Sequence, residues 1–200
     1  TDEMIPVNVY IGVDIAATAT NTSDFQVIMV IAIDKEKNRY VLEYYRERIP
    51  TFDLPQIIID MANKYSPVRR ATIETVAAQE MVRDMVTRIA HSDKRLIPGI
   101  FKGVKPPGGI KKEDRLETTL GPIVNSKKLF IRRSMTELVD EFFEHPFPRH
   151  DDLMDGLYYA DYYAKAPSSA RMKKSEYKSS NKKRAKRGKV YNWMTGLRNT

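Results

Sequence analysis

The sequence predicts an α/β fold: a mixed central sheet with helices on both faces. Three observations carry this prediction. The chain opens with three β-rich segments joined by polar turns. The segments after them alternate between helical apolar spacing and short β-branched runs. The order of three strands, helix, strand, helix, strand and further helices suits a layered sheet better than a bundle or a sandwich.

Each element has its own justification. Residues 7–14 (VNVYIGVD) are β-branched, alternate in part and stop on Asp14, which predicts a strand. Residues 15–24 are small and polar and read as a turn. Residues 25–34 (FQVIMVIAID) are nearly all apolar, as in a strand buried on both faces. A tight polar turn at Lys35 to Asn38 leads into a third strand at 39–46, completing an antiparallel meander. Asp53-Leu54-Pro55 marks a helix start, with proline in the first turn, and the helix runs to about Lys64. Residues 70–74 (RATIE) form a short strand ending on Glu74. Met81, Val82, Met85, Val86 and Ile89 fall at helical spacing, predicting a helix over 79–91. Residues 96–101 are expected as a strand weakened by Pro98, and Lys102 to Gly109 as a glycine- and proline-rich loop. A helix from about Lys111 carries Leu116 and Leu120, residues 128–131 form a short strand, and 135–144 form a helix that the prolines after His145 cannot extend. A last helix covers 151–164, where Tyr158, Tyr159, Tyr162 and Tyr163 are expected to pack against the sheet.

Composition bounds the chemistry. Apolar residues make up 42% of 200, enough for a sizeable core. With no cysteine, disulfides and thiolate metal sites are excluded. No apolar run reaches the length of a membrane span, and no secretory leader pattern opens the chain. The opening Thr1-Asp2-Glu3 suggests a portion of a longer polypeptide. The net charge of +8 is uneven: residues 171–189 hold ten Lys or Arg against Glu176, which leaves the remainder at −1. We therefore expect a folded domain over 1–167 and a basic, disordered tail over 168–200 with a short apolar end, VYNWMTGL, around the single tryptophan. The tail carries the affinity for nucleic acid that the pI implies.

Acids that end strands set up the chemistry. Asp14 and Glu74 close two strands, and Asp151, Asp152 and Asp155 open the last helix within one turn of each other. Taken singly, each is as well explained as a turn former or helix cap. Together they crowd like charge, which requires a compensating cation. Carboxylates without cysteine and with few histidines suit Mg²⁺ or Mn²⁺, one or two ions, and disfavour zinc. Two such ions can activate a water and steady the leaving oxygen of a phosphodiester. Lys102, Lys105, Lys111 and Lys112 line a flexible segment suited to a DNA backbone, with ordinary solvent exposure as the competing explanation. His150, just before the acidic cluster, is a candidate for proton shuttling or phosphate contact, or a structural loop histidine.

The segments IGVDIA, SDFQVIMVIAID, YVLEYYRERI, ATIE, KKEDRLETTLGPIV and FPRHDDLMDGLYYADYY, in this order from about Val9 to Tyr163, resemble the nuclease domain of the large terminase subunit of tailed bacteriophages. HDDLMDGLYYA is the most specific piece; Gly156 stands where that family usually has alanine. The resemblance implies a ribonuclease H-like fold and an endonuclease that cuts concatemeric viral DNA during genome packaging. It implies that Asp14, Glu74 and the Asp151, Asp152, Asp155 cluster hold the metal. It also implies that Lys112 and Arg115, as a Lys-x-x-Arg element, lie near the DNA backbone. Implied partners are double-stranded DNA, the portal protein, the small terminase subunit and an ATPase domain of the same polypeptide. The implied setting is the cytoplasm of an infected bacterium, outside the mature virion. No G-x-x-x-x-G-K-[ST] phosphate loop occurs, so the nuclease portion alone, or a stand-alone relative, is expected. Two alternatives stay open at this point: a Holliday-junction resolvase or transposase-type nuclease on the same fold, and a DNA- or portal-binding module without activity.

Overall fold

The structure, a computed structural model, describes residues 5–16, 25–75, 79–93, 96–146, 148 and 150–168. The basic segment and the tryptophan-containing end of the tail lie outside these residues, as does most of the connection at 15–24.

Strands β1 (Asn8–Asp14), β2 (Gln26–Ile33) and β3 (Arg39–Glu47) form the antiparallel meander that the sequence predicts. The turn between β2 and β3 is tied by Asp34, which accepts from the Asn38 backbone at 2.9 Å, the Asn38 amide at 2.8 Å and the Tyr40 hydroxyl at 2.9 Å. Helix α1 (Leu54–Lys64) returns the chain to β4 (Val68–Glu74), which lies parallel to β1 on its other side. Helix α2 (Gln79–Ser92) leads to β5 (Phe101–Val104), parallel to β4. Helix α3 (Lys112–Asn125), the short β6 (Leu129–Phe130), α4 (Thr136–Glu144) and α5 (Asp152–Asp161) complete the order. The six strands run β5-β4-β1-β2-β3-β6.

Period-two alternation divides the core into two layers. Ile11, Val13, Ile28, Val30, Ala71 and Ile73 face α1 and α2. Tyr10, Val27, Met29, Ile31 and Ile33 face α3, α4 and α5. All eight residues of β2 are buried, which explains its nearly unbroken apolar run. Helices therefore cover both faces, as expected. No helix among the described residues is long and apolar enough to cross a membrane.

Two expectations are corrected. The strand predicted at 96–101 begins only at Phe101, because Pro98 lacks a ladder donor and residues 98–100 form a 3-10 turn. Lys102 to Val104, read as loop, are strand. The last helix ends at Asp161, so only Tyr158 and Tyr159 are buried; Tyr162 and Tyr163 lie past its end, 41% and 40% exposed.

One close approach positions α5. A Cβ added to Gly12 would fall on the Gly156 carbonyl oxygen and the Ala160 nitrogen. A Cβ on Gly156 would stand 2.6 Å from Val27 Cγ1. Two glycines thus let the helix backbone rest directly on β1 and β2.

Candidate active site

The sheet register brings Asp14 and Glu74 together. Parallel pairing matches Val13 with Ile73, so the next residues, Asp14 and Glu74, leave neighbouring strands at the same end. The same alternation that sends Val13 and Ile73 into the α1 and α2 layer turns both acids toward α5. Across the gap, α5 rests on Gly12 and presents Asp155, which is 3% exposed.

The electrostatics record this convergence. Burial pushes the Asp14 carboxyl well above the usual range; a hydrogen bond with Glu74 and repulsion from Asp155 and Glu74 add to it, and Lys112 opposes it. Burial also raises Asp155, against the attraction of Lys112 and Arg115. Asp14 retains a strip of accessible surface, so the cluster is withdrawn from bulk water without being sealed off.

Two cations from the first turn of α3 answer these acids. Lys112 Nζ donates to Asp151 Oδ1 at 2.7 Å and pairs with Asp155 Oδ2. Arg115 Nη2 donates to Asp155 Oδ1 at 2.8 Å, and its guanidinium lies 4.7 Å from the Tyr158 ring centroid. Burial disfavours the charged form of Lys112, but Asp155 and Asp151 outweigh it and hold the ammonium well above its usual range. Lys112 and Arg115 therefore point into the acidic cluster, and a solvated helix face does not describe them.

The three acids of the final motif part company. Asp155 joins Asp14 and Glu74. Asp151 is partly exposed and reached through Lys112. Asp152 turns to Arg46, whose Nη2 lies 3.5 Å from Oδ2, while Arg46 Nη1 binds Glu137 at 3.0 Å. Burial raises the Asp152 carboxyl, against Lys112 and Arg46. His150 Nδ1 lies 4.0 Å from Asp152 Oδ2, and its ring meets Phe25 edge-on at 5.5 Å. Of the remaining basic candidates, Lys102 is exposed on the edge strand β5, Lys105 sits 3.8 Å from Glu80, and Lys111 is exposed just before α3.

Four contributors escape the sequence reading. Gly12 is the first. Glu141, 5% exposed on α4, accepts from the Leu153 and Met154 amides at 3.3 and 2.9 Å, capping α5 from outside its own segment. Burial pushes its carboxyl up to about 7, against those two amides and Arg46. The available signal was spacing: Glu141 falls three residues after Leu138, on the apolar stripe of its helix. Arg46, at the end of a strand, offered no comparable signal. Tyr159 is fully buried, and its hydroxyl faces Glu74 and Asp14 without closing a hydrogen bond of ordinary length.

The donor chemistry fits a hard divalent cation. Asp14, Glu74 and Asp155 supply carboxylate oxygens only, and the unpartnered Tyr159 hydroxyl is aimed at the same place. As the side chains stand, no three acids among the described residues are grouped closely enough to hold a metal ion; Lys112 and Arg115 each engage one oxygen of Asp155.

No family model matches the sequence, and no curated protein is detectably similar to it. Solved structures do match. The zinc-bound large terminase nuclease of thermophilic phage G20c superposes with a TM-score of 0.57 over 80% of this chain and 82% of that one, at 15% identity. The fold is ribonuclease H-like. The yeast mitochondrial Holliday junction resolvase shares it, with a TM-score of 0.52 over 80% of this chain and 78% of that one, at 11% identity. Within this ribonuclease H-like fold, Asp14, Glu74 and Asp155 sit on β1, β4 and the helix laid over β1.

Proposed function

We propose that the chain is a divalent-metal-dependent DNA endonuclease, and that it is the nuclease portion of a phage large terminase, cutting concatemeric DNA during genome packaging. The observation that carries the nuclease reading is the convergence of Asp14, Glu74 and Asp155, three buried or half-buried acids drawn together against their own repulsion. Structures of that cost persist where function requires them. The terminase reading is supported by HDDLMDG, which supplies Asp155 and the glycine that seats it.

Asp14, Glu74 and Asp155 would hold Mg²⁺ or Mn²⁺, with Asp151 and Asp152 as further candidate donors. One or two bound ions supply Lewis-acid activation of water and of the phosphodiester. The buried Tyr159 hydroxyl faces Glu74 and Asp14 from α5. Arg115 holds Asp155 through its Nη2, with the guanidinium set over the Tyr158 ring. The exposed Lys102, Lys105 and Lys111 meet the phosphate backbone of double-stranded DNA without reading sequence. His150 stands beside Asp152 within reach of a phosphate. The terminase role brings with it an ATPase domain on the same polypeptide, the small terminase subunit, the portal and the cytoplasm of an infected bacterium.

Cleavage assays test both levels. Supercoiled plasmid is nicked and linearised with Mn²⁺ or Mg²⁺, and Asp14→Ala abolishes this; intact plasmid with either metal across a range of salt rejects the nuclease reading. A parallel Zn²⁺ reaction tests the preference for harder ions. The likeness to a junction resolvase supports a second reading, resolution of four-way junctions. Strong preference for a four-way junction over linear duplex selects it over the terminase role.

A further inference from the structure

Lys112 occupies a peculiar position for a residue at the start of a helix. Its ammonium sits inside the acidic cluster and holds Asp155 Oδ2, while Arg115 holds Oδ1. Each oxygen of Asp155 thus already has a cationic partner, so an ion shared with Asp14 and Glu74 would meet the Lys112 ammonium at Oδ2. The two cations differ in how firmly they are placed. Arg115 is 11% exposed, buried at its side chain, and lies over the Tyr158 and Tyr159 rings at 4.7 and 5.8 Å. Lys112 is 36% exposed on a flexible stem, in the first turn of a helix entered just after Gly109, whose φ is +79°. It also has a second partner: Asp151, one-third exposed, lies 2.7 Å from its ammonium. Rotation of the stem toward solvent would release Asp155 with Asp151 still within reach, so the ammonium gives up one of its two ion pairs and not both.

We propose that Lys112 is the resident counter-cation of the site: a divalent metal binds by displacing its ammonium from Asp155, and the residue thereby sets the metal affinity. The proposal rests on the metal-dependent reading above. Charge gives the exchange its direction. Lys112 and Arg115 bring two positive charges to Asp14, Glu74, Asp151 and Asp155, and a divalent ion in place of the ammonium brings one more in a smaller volume. A monovalent ion offers no such gain over the ammonium it would replace. Competition from Lys112 lowers the apparent affinity by the fraction of molecules in which Asp155 is free.

Calorimetric titration of the whole chain with Mn²⁺ alone tests this in wild type, Lys112→Met and Lys112→Arg. Methionine keeps the stem and removes the charge. The expected result is binding about tenfold tighter in Lys112→Met, as for a competent state raised from about a tenth to nearly all molecules. Lys112→Arg retains wild-type affinity or binds more weakly. A second readout needs no variant to be stable: Mg²⁺ titration of the wild-type protein carrying ¹³C-dimethylated lysines, which keep their charge, followed by NMR. One lysine resonance, absent from Lys112→Met or shifted by neighbouring substitutions such as Asp151→Asn, is expected to move in step with metal occupancy. Metal binding by wild type with equal or weaker affinity in Lys112→Met overturns the exchange and leaves the nuclease reading standing. So does a wild-type spectrum in which no lysine responds as the site fills. Failure of wild type and variants alike to bind Mn²⁺ overturns both.

Discussion

At the residue scale, the site sets stability against chemistry. Burial, the hydrogen bond with Glu74 and repulsion from Asp155 and Glu74 all favour the protonated form of Asp14. Asparagine reproduces that neutral form at nearly the same shape. Asp14→Asn is therefore expected to raise the metal-free stability at neutral pH by about 1 kcal/mol, since asparagine cannot ionise in the buried site and keeps a polar partner for Glu74. The same change is expected to lower Mn²⁺-dependent cleavage by about a hundredfold or more, because a carboxylate ligand is gone. Thermal melting with and without Mn²⁺, alongside plasmid cleavage, checks both. A metal-free protein that melts lower than wild type contradicts this account of Asp14.

At the scale of elements, the placement of α5 decides whether there is a site. Its backbone rests on Gly12, and Glu141 ties its first amides to α4. Gly12→Ala puts a methyl group where the Gly156 carbonyl and the Ala160 nitrogen stand, neither of which can move without the whole helix. The expected cost is about 1–3 kcal/mol or more, with α5 lifted off β1 and Mn²⁺ binding lost along with it. Gly108→Ala is the control: its added methyl meets nothing within 4 Å beyond its chain neighbours, and a change of about 0.5 kcal/mol or less is expected. Denaturant melts and Mn²⁺ titrations of the two variants make the comparison. Equal stability of the two would show that the Gly12 contact is dispensable.

At the scale of the molecule, the acids impose a pH dependence. Asp14, Asp152, Asp155 and Glu141 are all raised, chiefly by burial, so the folded state retains protons that the unfolded chain has released. Their stabilising effect is complete below the ordinary carboxylate range and is lost as pH rises, the Glu141 share disappearing as pH passes about 7. Asp34 runs the other way. Burial would raise it, but bonds from Asn38 and Tyr40 lower it, so its contribution is present at neutral pH and lost on acidification. A divalent cation favours the ionised acids. Mg²⁺ is therefore expected to raise the melting temperature more at pH 8 than at pH 5.5, with each 1 kcal/mol worth roughly 2–4 °C in a protein of this size. Melting curves at the two pH values, with Asp14→Asn as reference, measure it. An Mg²⁺ effect independent of pH would place the metal elsewhere.

Much of this was legible in the sequence. Alternation and apolar spacing located the meander, α1, α2 and α4 nearly to their ends, because each of those patterns reports a burial that repeats along the chain. The positions of Asp14 and Glu74 at strand ends were equally plain. The start of β5 was misplaced because the apolar run around Pro98 reads as strand, and a short edge strand leaves little periodicity to locate its true beginning. Pairing was out of reach. Whether β4 lies parallel to β1 in the register that sets Glu74 beside Asp14 depends on hydrogen bonds between segments some sixty residues apart in the chain. The inward turn of Lys112 and Arg115, the division of Asp151, Asp152 and Asp155 among different partners, and the cap that Glu141 lends to α5 are of the same kind. Local sequence determines which face of an element is buried. Only the packing of distant elements decides which buried charges meet, because charge acts through space and desolvation, without regard to chain order.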